Sequence, residues 1–497
     1  MCSICGFYSK KKVFAEYAIE MLEKMEHRGP DGHGISIDGQ IVKEKKLEEL
    51  NTICEEEAKV CLGHSRLKIV GGQSEIQPFQ SSDKRLTLVH NGEIYNYKEL
   101  KSLLSKPKIT GDSDSEILLH LIEEYYEGDL VRAVKETMQI IDGMYAFAVT
   151  DQQKIVVARD PVGIKPIYYT DTHDKACFAS EKKAIISEKK QIRCLLPGNI
   201  LEITKNGTKI HNGVEIEKPQ IDVIDCEYAI EYYKKALQNA VRKRASDYKD
   251  VGVIFSGGVD SALIAKILKD IGKRVKCYCV GTGDSDDIEN AKKVASDLGL
   301  ELKTAIINEE NLKEILPDII ETIEFKGLVQ VEVAVPMYLA AKMASEDGIR
   351  VMFTGQGADE LFAGYWWYKD VVKYNGHLEL HHKLWEDIEL LYDDTLERED
   401  KVTMAHSIEL RVPYLDREVI RTAMKISPKL KIKDEYDEQR KWVHRIVAHQ
   451  LGVPDYIAFR KKDMAQSGSG VHGLIDRISK KYFKKQEVGD LKKEDKG

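Results

Sequence analysis

Val251-Gly-Val-Ile-Phe-Ser-Gly-Gly-Val-Asp-Ser261 decides how the second half of this chain is built. The run Val251 to Phe255 is short, apolar and rich in β-branched residues, and it ends at a Gly pair, so it predicts a buried strand. Ser256-Gly257-Gly258 turns the chain. Asp260-Ser261 then opens an amphipathic stretch, Ala262 to Leu268, that predicts a helix. Two glycines let the backbone curl so that successive N–H groups face one anion, and the helix dipole adds to the attraction. Strand, Gly-rich turn and helix together predict a phosphate cradle. It lacks the Gly-Lys-Ser/Thr ending of the nucleotide-hydrolase P-loop, which implies a different nucleotide chemistry. An ordinary strand-turn-helix with a serine cap is the bland alternative, and it suits an isolated Gly-Gly turn better than this whole stretch.

Working outward, the pattern after Glu227 alternates strand and helix. Val275 to Val280, Leu302 to Ile307 and Arg350 to Phe353 read as strands; Ile288 to Leu298, Leu312 to Phe325 and Pro336 to Ala344 read as helices. Such alternation predicts a parallel sheet covered by helices, with the ligand at the carboxyl ends of the strands. From Leu361 the chain is mostly helical by pattern, and Lys480 to Gly497 reads as a charged, frayed end. The first half, to about Ile203, has a different grammar. Arg85 to His90, Met144 to Thr150, Ile155 to Ala158, Ile167 to Tyr169 and Ala176 to Ala179 read as a meander of short strands, the second and third joined across Asp151 to Lys154. That predicts antiparallel sheet, with helices at Phe14 to Met25, Ser115 to Tyr126 and Leu130 to Met138. The fold class is therefore α/β with α+β. The expected boundaries are a first domain over 2–204, a polar linker over 205–226 and a second domain over 227–497.

A chain of 497 residues is too long for one core, which fits two domains. Its net charge of -8 argues against nucleic acid or an anionic membrane as the main partner. There is no apolar run of membrane-spanning length and no apolar leader at the start, and the nine cysteines lack paired metal-site spacings. A reduced, cytoplasmic enzyme acting on small molecules is the expectation.

Cys2 directly follows the initiator methionine. Once Met1 is removed, thiol and α-amine share one residue, and an α-amine with an ordinary pKa near ~7.7–8.0 can act as base for the thiol. Met-Cys alone is weak evidence. More weight comes from His27-Arg-Gly-Pro-Asp31, His64-Ser-Arg66, His90-Asn-Gly-Glu-Ile-Tyr-Asn96, Gly111-Asp-Ser-Asp-Ser-Glu116 and Arg159 to Tyr169. These segments resemble the class II glutamine amidotransferases, which are N-terminal-nucleophile hydrolases. Ser-Gly-Gly-x-Asp-Ser at 256–261 is similar to the pyrophosphate loop of enzymes that split ATP between its α- and β-phosphates. In that order, nearly the whole chain resembles the glutamine-hydrolysing asparagine synthetase family.

The resemblance implies an N-terminal-nucleophile sandwich followed by a synthetase domain, and it implies roles. Cys2 would be the nucleophile, and Asn91 and Gly92 its oxyanion hole. Arg66 would pair the glutamine α-carboxylate through its planar fork, Asp114 and Glu93 would receive the ammonium, and backbone groups of Ile69 and Val70 would complete the pocket. Taken singly, Arg66 and Asp114 suit surface ion pairs and Asn91-Gly92 suits a hairpin turn. His27 and His64 would be structural. For ATP and pyrophosphate the resemblance implies Phe255, Ser256, Gly257, Gly258, Asp260, Ser261, Val280, Thr354, Gly355, Asp359, Lys401 and Lys462, with Asp260 and Asp359 the Mg²⁺ contacts. Asp287, Gln356 and Glu324 would face the acceptor or its acyl-adenylate. Family members commonly form homodimers.

Two positions depart from the family. Gln356 stands where many members have Glu, and Glu332 where the best-studied bacterial type has Arg. Gln356 can hydrogen-bond but cannot act as a base. Two rivals accompany the reading: an amidotransferase adenylating a different carboxylate, and a degenerate homologue acting as a regulator or storage protein. The intact Cys2, Arg66, Asn91, Asp114 and 256–261 set speaks against the second.

Overall fold

The computed structural model describes residues 2–69, 75–105, 113–185, 191–324, 327–461 and 468–481. Val70, Lys462 and the charged end from residue 482 lie outside the described residues. The chain divides into two compact units: one of residues 1–217 with 389–400 and 404–409, the other of 218–388, 401–403 and 410–497.

The first unit carries two antiparallel sheets. The seven-stranded sheet is centred on Ser3–Phe14, which pairs with Glu57–Ser65 on one side and Lys175–Ala179 on the other. The six-stranded sheet is centred on Gly143–Thr150, between Thr87–Ile94 and Ile155–Arg159. One face of each sheet meets the other: Ile4, Leu62 and Phe178 share a core with Ala146, Ala148 and Val157. Helix Glu16–Glu23 packs on a second cluster that includes Phe7 and Ile35, while Asp114–Tyr125 and Leu130–Ile140 pack on Tyr145, Phe147 and Val149. Along Gly143–Thr150 the alanines face the opposing sheet and the larger residues face the helices, as a period of two requires. Helix, sheet, sheet, helix is the sandwich expected from the sequence.

Two local expectations change. Phe14 ends a strand rather than opening a helix, because Val13 and Phe14 continue the pairing with Ala58 and Glu57 past an irregularity after Tyr8. Asn91 and Gly92 lie within the strand Thr87–Ile94, opposite Ala146 and Tyr145, so they are not a hairpin turn. The expected hairpin across Asp151 to Lys154 is present, with Thr150 opposite Ile155. Of the stretch 205–226, Gly207–Asn212 forms a strand paired with Asn199–Thr204.

In the second unit a five-stranded sheet runs Glu301–Ile306, Arg274–Gly281, Asp250–Ile254, Val351–Phe353, Glu409–Arg411. The first four are parallel, and helices Val259–Asp270, Asp286–Leu298 and Leu328–Glu346 intervene in the chain. This is the α/β pattern read from the sequence. Among the described residues, no helix is long and apolar enough to cross a membrane.

Candidate functional site

In the first unit, Cys2 precedes the central strand and its backbone N–H donates to Asn91 Oδ1 at 3.2 Å. Asn91 is fully buried, and its Nδ2 has no partner among the described residues. An N–H pair left unpaired beside a thiol is a donor waiting for an acceptor. At Gly92 an added Cβ would collide with the Met144 carbonyl, so only glycine permits this approach of the strands. Burial pushes the Cys2 thiol up, opposed by the Leu67 N–H and the Arg66 charge. The bonded pair is Cys2 and Asn91, the two residues to which the family resemblance gives attack and oxyanion stabilisation.

Arg66 is buried and its Nη2 sits 3.2 Å from Glu75 Oε2. The fork therefore already holds a carboxylate, the group glutamine would present. Asp114 begins its helix and accepts from the Ile94 N–H at 2.9 Å, which ties it to the strand carrying Asn91. Glu93 and Ile69 are half-buried. His64 is fully buried and held well below its ordinary value by burial and by Arg66, and so is neutral and unsuited to pairing a carboxylate.

Sequence reasoning missed Arg28, although its motif was in view. Arg28 is fully buried; Nε donates to the Cys2 carbonyl at 3.3 Å, Nη1 meets Glu181 at 2.8 Å and Nη2 meets Asp400 at 2.7 Å. Lys165 Nζ reaches the other Asp400 oxygen at 3.1 Å. Against the cost of burial, Arg28 and Lys165 hold the Asp400 carboxyl below its ordinary value. The main chain at the thiol is thus anchored to a compensated buried charge cluster.

In the second unit, Ser256-Gly257-Gly258 joins the strand Asp250–Ile254 to the helix Val259–Asp270. Phe255 N–H donates to Tyr278 O at 2.9 Å, and Gly258 N–H to Ser256 Oγ at 3.3 Å. Gly257 has φ +70°, and a Cβ there would come within 2.6 Å of the Ala291 nitrogen. Ser261 Oγ caps back to Gly258 O at 3.3 Å. Val280 is buried near the end of the neighbouring strand. The loop after Val351–Phe353 lies directly against this turn: a Cβ on Gly355 would come within 2.8 Å of Asp260 Cβ. Thr354 N–H is held by Arg411 O at 3.2 Å, and Gln356 is half-buried between Gly355 and Gly357.

Asp260 and Asp359 converge on one cation, and the sequence reading had not found it. Lys441 Nζ, fully buried, is 2.8 Å from Asp260 Oδ1 and 2.7 Å from Asp359 Oδ1. His444 Nε2 lies 3.0 Å from the same Asp260 oxygen, and burial keeps this imidazole below its ordinary value despite Asp260. Two hard oxygen donors sharing one positive charge suit Mg²⁺ completed by phosphate oxygens. Among the described residues no three His, Cys, Asp or Glu side chains converge as a protein-only metal site. Lys401, also buried, pairs with Glu324, while Asp287 lies against Gly468, whose carbonyl accepts from Ser285 Oγ at 2.8 Å. Glu332 is buried and bonded to His472 Nδ1 at 2.9 Å. Lys441 carried no sequence signal, because its left-handed backbone (φ 53°) and its two distant partners exist only in the fold.

Comparison with known proteins matches two families along the chain. A family model described as asparagine synthase matches residues 232–380 and 372–486, and one described as a glutamine amidotransferase domain matches residues 49–195. A protein of Methanocaldococcus jannaschii described as a glutamine-hydrolysing asparagine synthetase is 37% identical over 543 residues, spanning 99% of this chain and 98% of its own length. Glutamine-hydrolysing asparagine synthetase 3 of Arabidopsis thaliana is 29% identical over 504 residues, 97% of this chain and 82% of its own length.

Proposed function

The chain belongs to the glutamine-hydrolysing asparagine synthetase family, a family of ATP-dependent ligases, and on that premise we propose that it makes asparagine from aspartate, glutamine and ATP. The glutaminase domain, 2–204, hydrolyses glutamine to glutamate and ammonia; the synthetase domain, 227–497, adenylates the acceptor.

With Met1 removed, the Cys2 amine takes the thiol proton and the sulfur attacks the glutamine side-chain amide carbon. The oxyanion receives hydrogen bonds from Asn91 Nδ2 and the Gly92 N–H. The unpartnered Asn91 Nδ2 next to Cys2 supports that assignment. As the C–N bond breaks, the proton passes to the leaving ammonia, and water then cleaves the thioester. Arg66 exchanges Glu75 for the substrate carboxylate, and Asp114 and Glu93 meet the ammonium.

In the second reaction an aspartate β-carboxylate oxygen attacks the α-phosphorus of ATP, and the bond to the bridging oxygen of the β-phosphate breaks. Pyrophosphate leaves into the 256–261 cradle. Ammonia then attacks the acyl carbon, the C–O bond to AMP breaks, and one proton is lost. The observation that carries this half is the convergence of Asp260 and Asp359, each in the first turn of the helix that follows its loop, on Lys441. Asp260 and Asp359 would hold Mg²⁺, which neutralises phosphate charge when bound. Lys441, and Lys401 with Glu324 beside it, supply cationic and hydrogen-bonding groups for phosphate and acceptor.

A second reading, a different carboxylate acceptor, has one observation in its favour. Buried Glu332, engaged by His472, presents an acid where a cation would grip a second carboxylate. One assay separates the readings: purified protein with glutamine, Mg-ATP and either aspartate or a panel of other carboxylates. Asparagine, AMP and pyrophosphate in equal amounts support the first; no aspartate-dependent AMP, with another acid giving AMP, supports the second.

A further inference from the structure

The strand that carries Asn91 and Gly92 loses its edge neighbour just before it reaches them. Thr87–Ile94 pairs with Phe79–Gln80 only at Thr87 and Leu88, so on that side the main chain of His90 needs another partner. Gln77 supplies it. Its side-chain amide accepts from the His90 N–H at 2.6 Å and donates to the His90 carbonyl at 3.1 Å, as the peptide of a neighbouring strand would. The same Nε2 reaches the Ser115 hydroxyl at 3.3 Å, and His90 Nδ1 meets that hydroxyl at 2.9 Å. Ser115 Oγ in turn lies 3.3 Å from Asp114 Oδ1. Gln77, His90 and Ser115 are all buried, whereas the Asp114 side chain keeps 17% of its surface open.

Donors and acceptors match along this chain of bonds. A carboxylate only accepts, so the Ser115 hydrogen points at Asp114, and the two Ser115 lone pairs take Gln77 Nε2–H and His90 Nδ1–H. Both Nε2 hydrogens of Gln77 are then in use, and its Oε1 holds the His90 N–H. Asp114 Oδ2 accepts from the Ile94 N–H at 2.9 Å, so both carboxylate oxygens are tied and each retains a lone pair. The plane of the carboxylate is thereby fixed. We propose that Ser115, held by Gln77 and His90, is a positioning residue for Asp114, setting its carboxylate to receive the substrate α-ammonium at a fixed place relative to Asn91 and Gly92. That role rests on the glutaminase reading of the first unit. Ser115 acts through Asp114 and not on the substrate itself.

The test compares hydrolysis of glutamine with that of 4-carbamoylbutanoate, the same amide without the α-amine, by full-length wild type, Ser115→Ala, Gln77→Met, Asp114→Ala and Ser115→Ala/Asp114→Ala. Ser115→Ala should raise KM for glutamine roughly five- to tenfold with kcat changed less, and leave kcat/KM for the des-amino amide near wild type. The des-amino amide thus controls for folding and for the nucleophile. In the Asp114→Ala background Ser115→Ala should lower the preference for glutamine no further, because it acts only through that carboxylate. An equal loss with both amides in Ser115→Ala would mark a structural role and overturn the proposal, as would losses of preference that multiply in the double variant. If Ser115→Ala does not fold, Gln77→Met decides: it should lower the preference for glutamine, and an unchanged preference overturns the proposal. If wild type does not turn over the des-amino amide, its inhibition constant against glutamine gives the same comparison. A wild type that hydrolyses no glutamine refutes the glutaminase reading. One that handles both amides equally well refutes the Asp114 assignment, and one that prefers glutamine while Ser115→Ala keeps that preference refutes only the positioning by Ser115.

Discussion

Lys431→Met should make the second unit more stable, by an amount that depends on pH. Lys431 is fully buried, and its ammonium has no hydrogen-bond partner among the described residues. Burial alone pulls it from 10.5 to about 7. At ~1.4 kcal/mol per pH unit, that gap is worth about 5 kcal/mol against the folded state. The sign follows from proton counting. Below about pH 7 the amine is charged in both states, and the folded state carries the whole penalty. Between about 7 and 10.5 the unfolded chain keeps a proton that the folded one has lost, so wild-type stability climbs with pH and levels off above that window. His381, which faces Lys431, is pushed down to about 4, chiefly by burial, and stays neutral throughout. Methionine fills similar space without charge. All four tryptophans (Trp366, Trp367, Trp385 and Trp442) lie in the second unit, so tryptophan fluorescence during urea unfolding reports on it alone. The variant should exceed wild type by roughly 3–5 kcal/mol at pH 6.5, and the gap should nearly close by pH 10. Equal stability at pH 6.5, or a gap that does not narrow, would refute an unpaired buried ammonium.

Cys2→Ala should abolish glutamine hydrolysis while ammonia-dependent synthesis survives, and mass spectrometry of wild type should find Cys2 at the mature N-terminus; undiminished hydrolysis by the variant counts against Cys2. Lys441→Met should suppress AMP and pyrophosphate formation at least tenfold, since a lost charged hydrogen bond is worth roughly 1.5–3 kcal/mol, with glutamine hydrolysis as the control. Gln356→Ala should slow aspartate-dependent ATP–pyrophosphate exchange by a factor matching roughly 0.5–1.5 kcal/mol, and Gln356→Glu should retain appreciable activity. Exchange unchanged in Gln356→Ala would remove that side chain from the site.

What was legible in the sequence was local. The cradle reads correctly as strand, turn and helix because four apolar residues around Gly252, a Gly pair and a helix start fall within eleven positions. The strand pair around Asp151 to Lys154 follows for the same reason. Asn91-Gly92 shows the limit of that logic. As a dipeptide it favours a turn, and only the pairing along Gly143–Thr150 makes it part of a strand. His444 was silent because its pattern matches an ordinary helical position, and Lys441 because it and Asp260 stand 181 residues apart. Arg28 was in view, but the two carboxylates that compensate it are 153 and 372 positions further on.

That last separation bears on how the protein comes into being. A ribosome finishes both sheets of the first unit long before it reaches Asp400, and at ~5–20 residues per second the interval is roughly ten to forty seconds. Throughout it, Arg28 and Lys165 share a half-built interior with one of their counter-ions still unmade. Removing one partner of such a buried pair costs about 3–5 kcal/mol. The nascent first unit therefore waits for one carboxylate of the cluster that anchors its nucleophile until most of the other unit has been translated. Severing the gene after Glu217 would make that waiting state permanent.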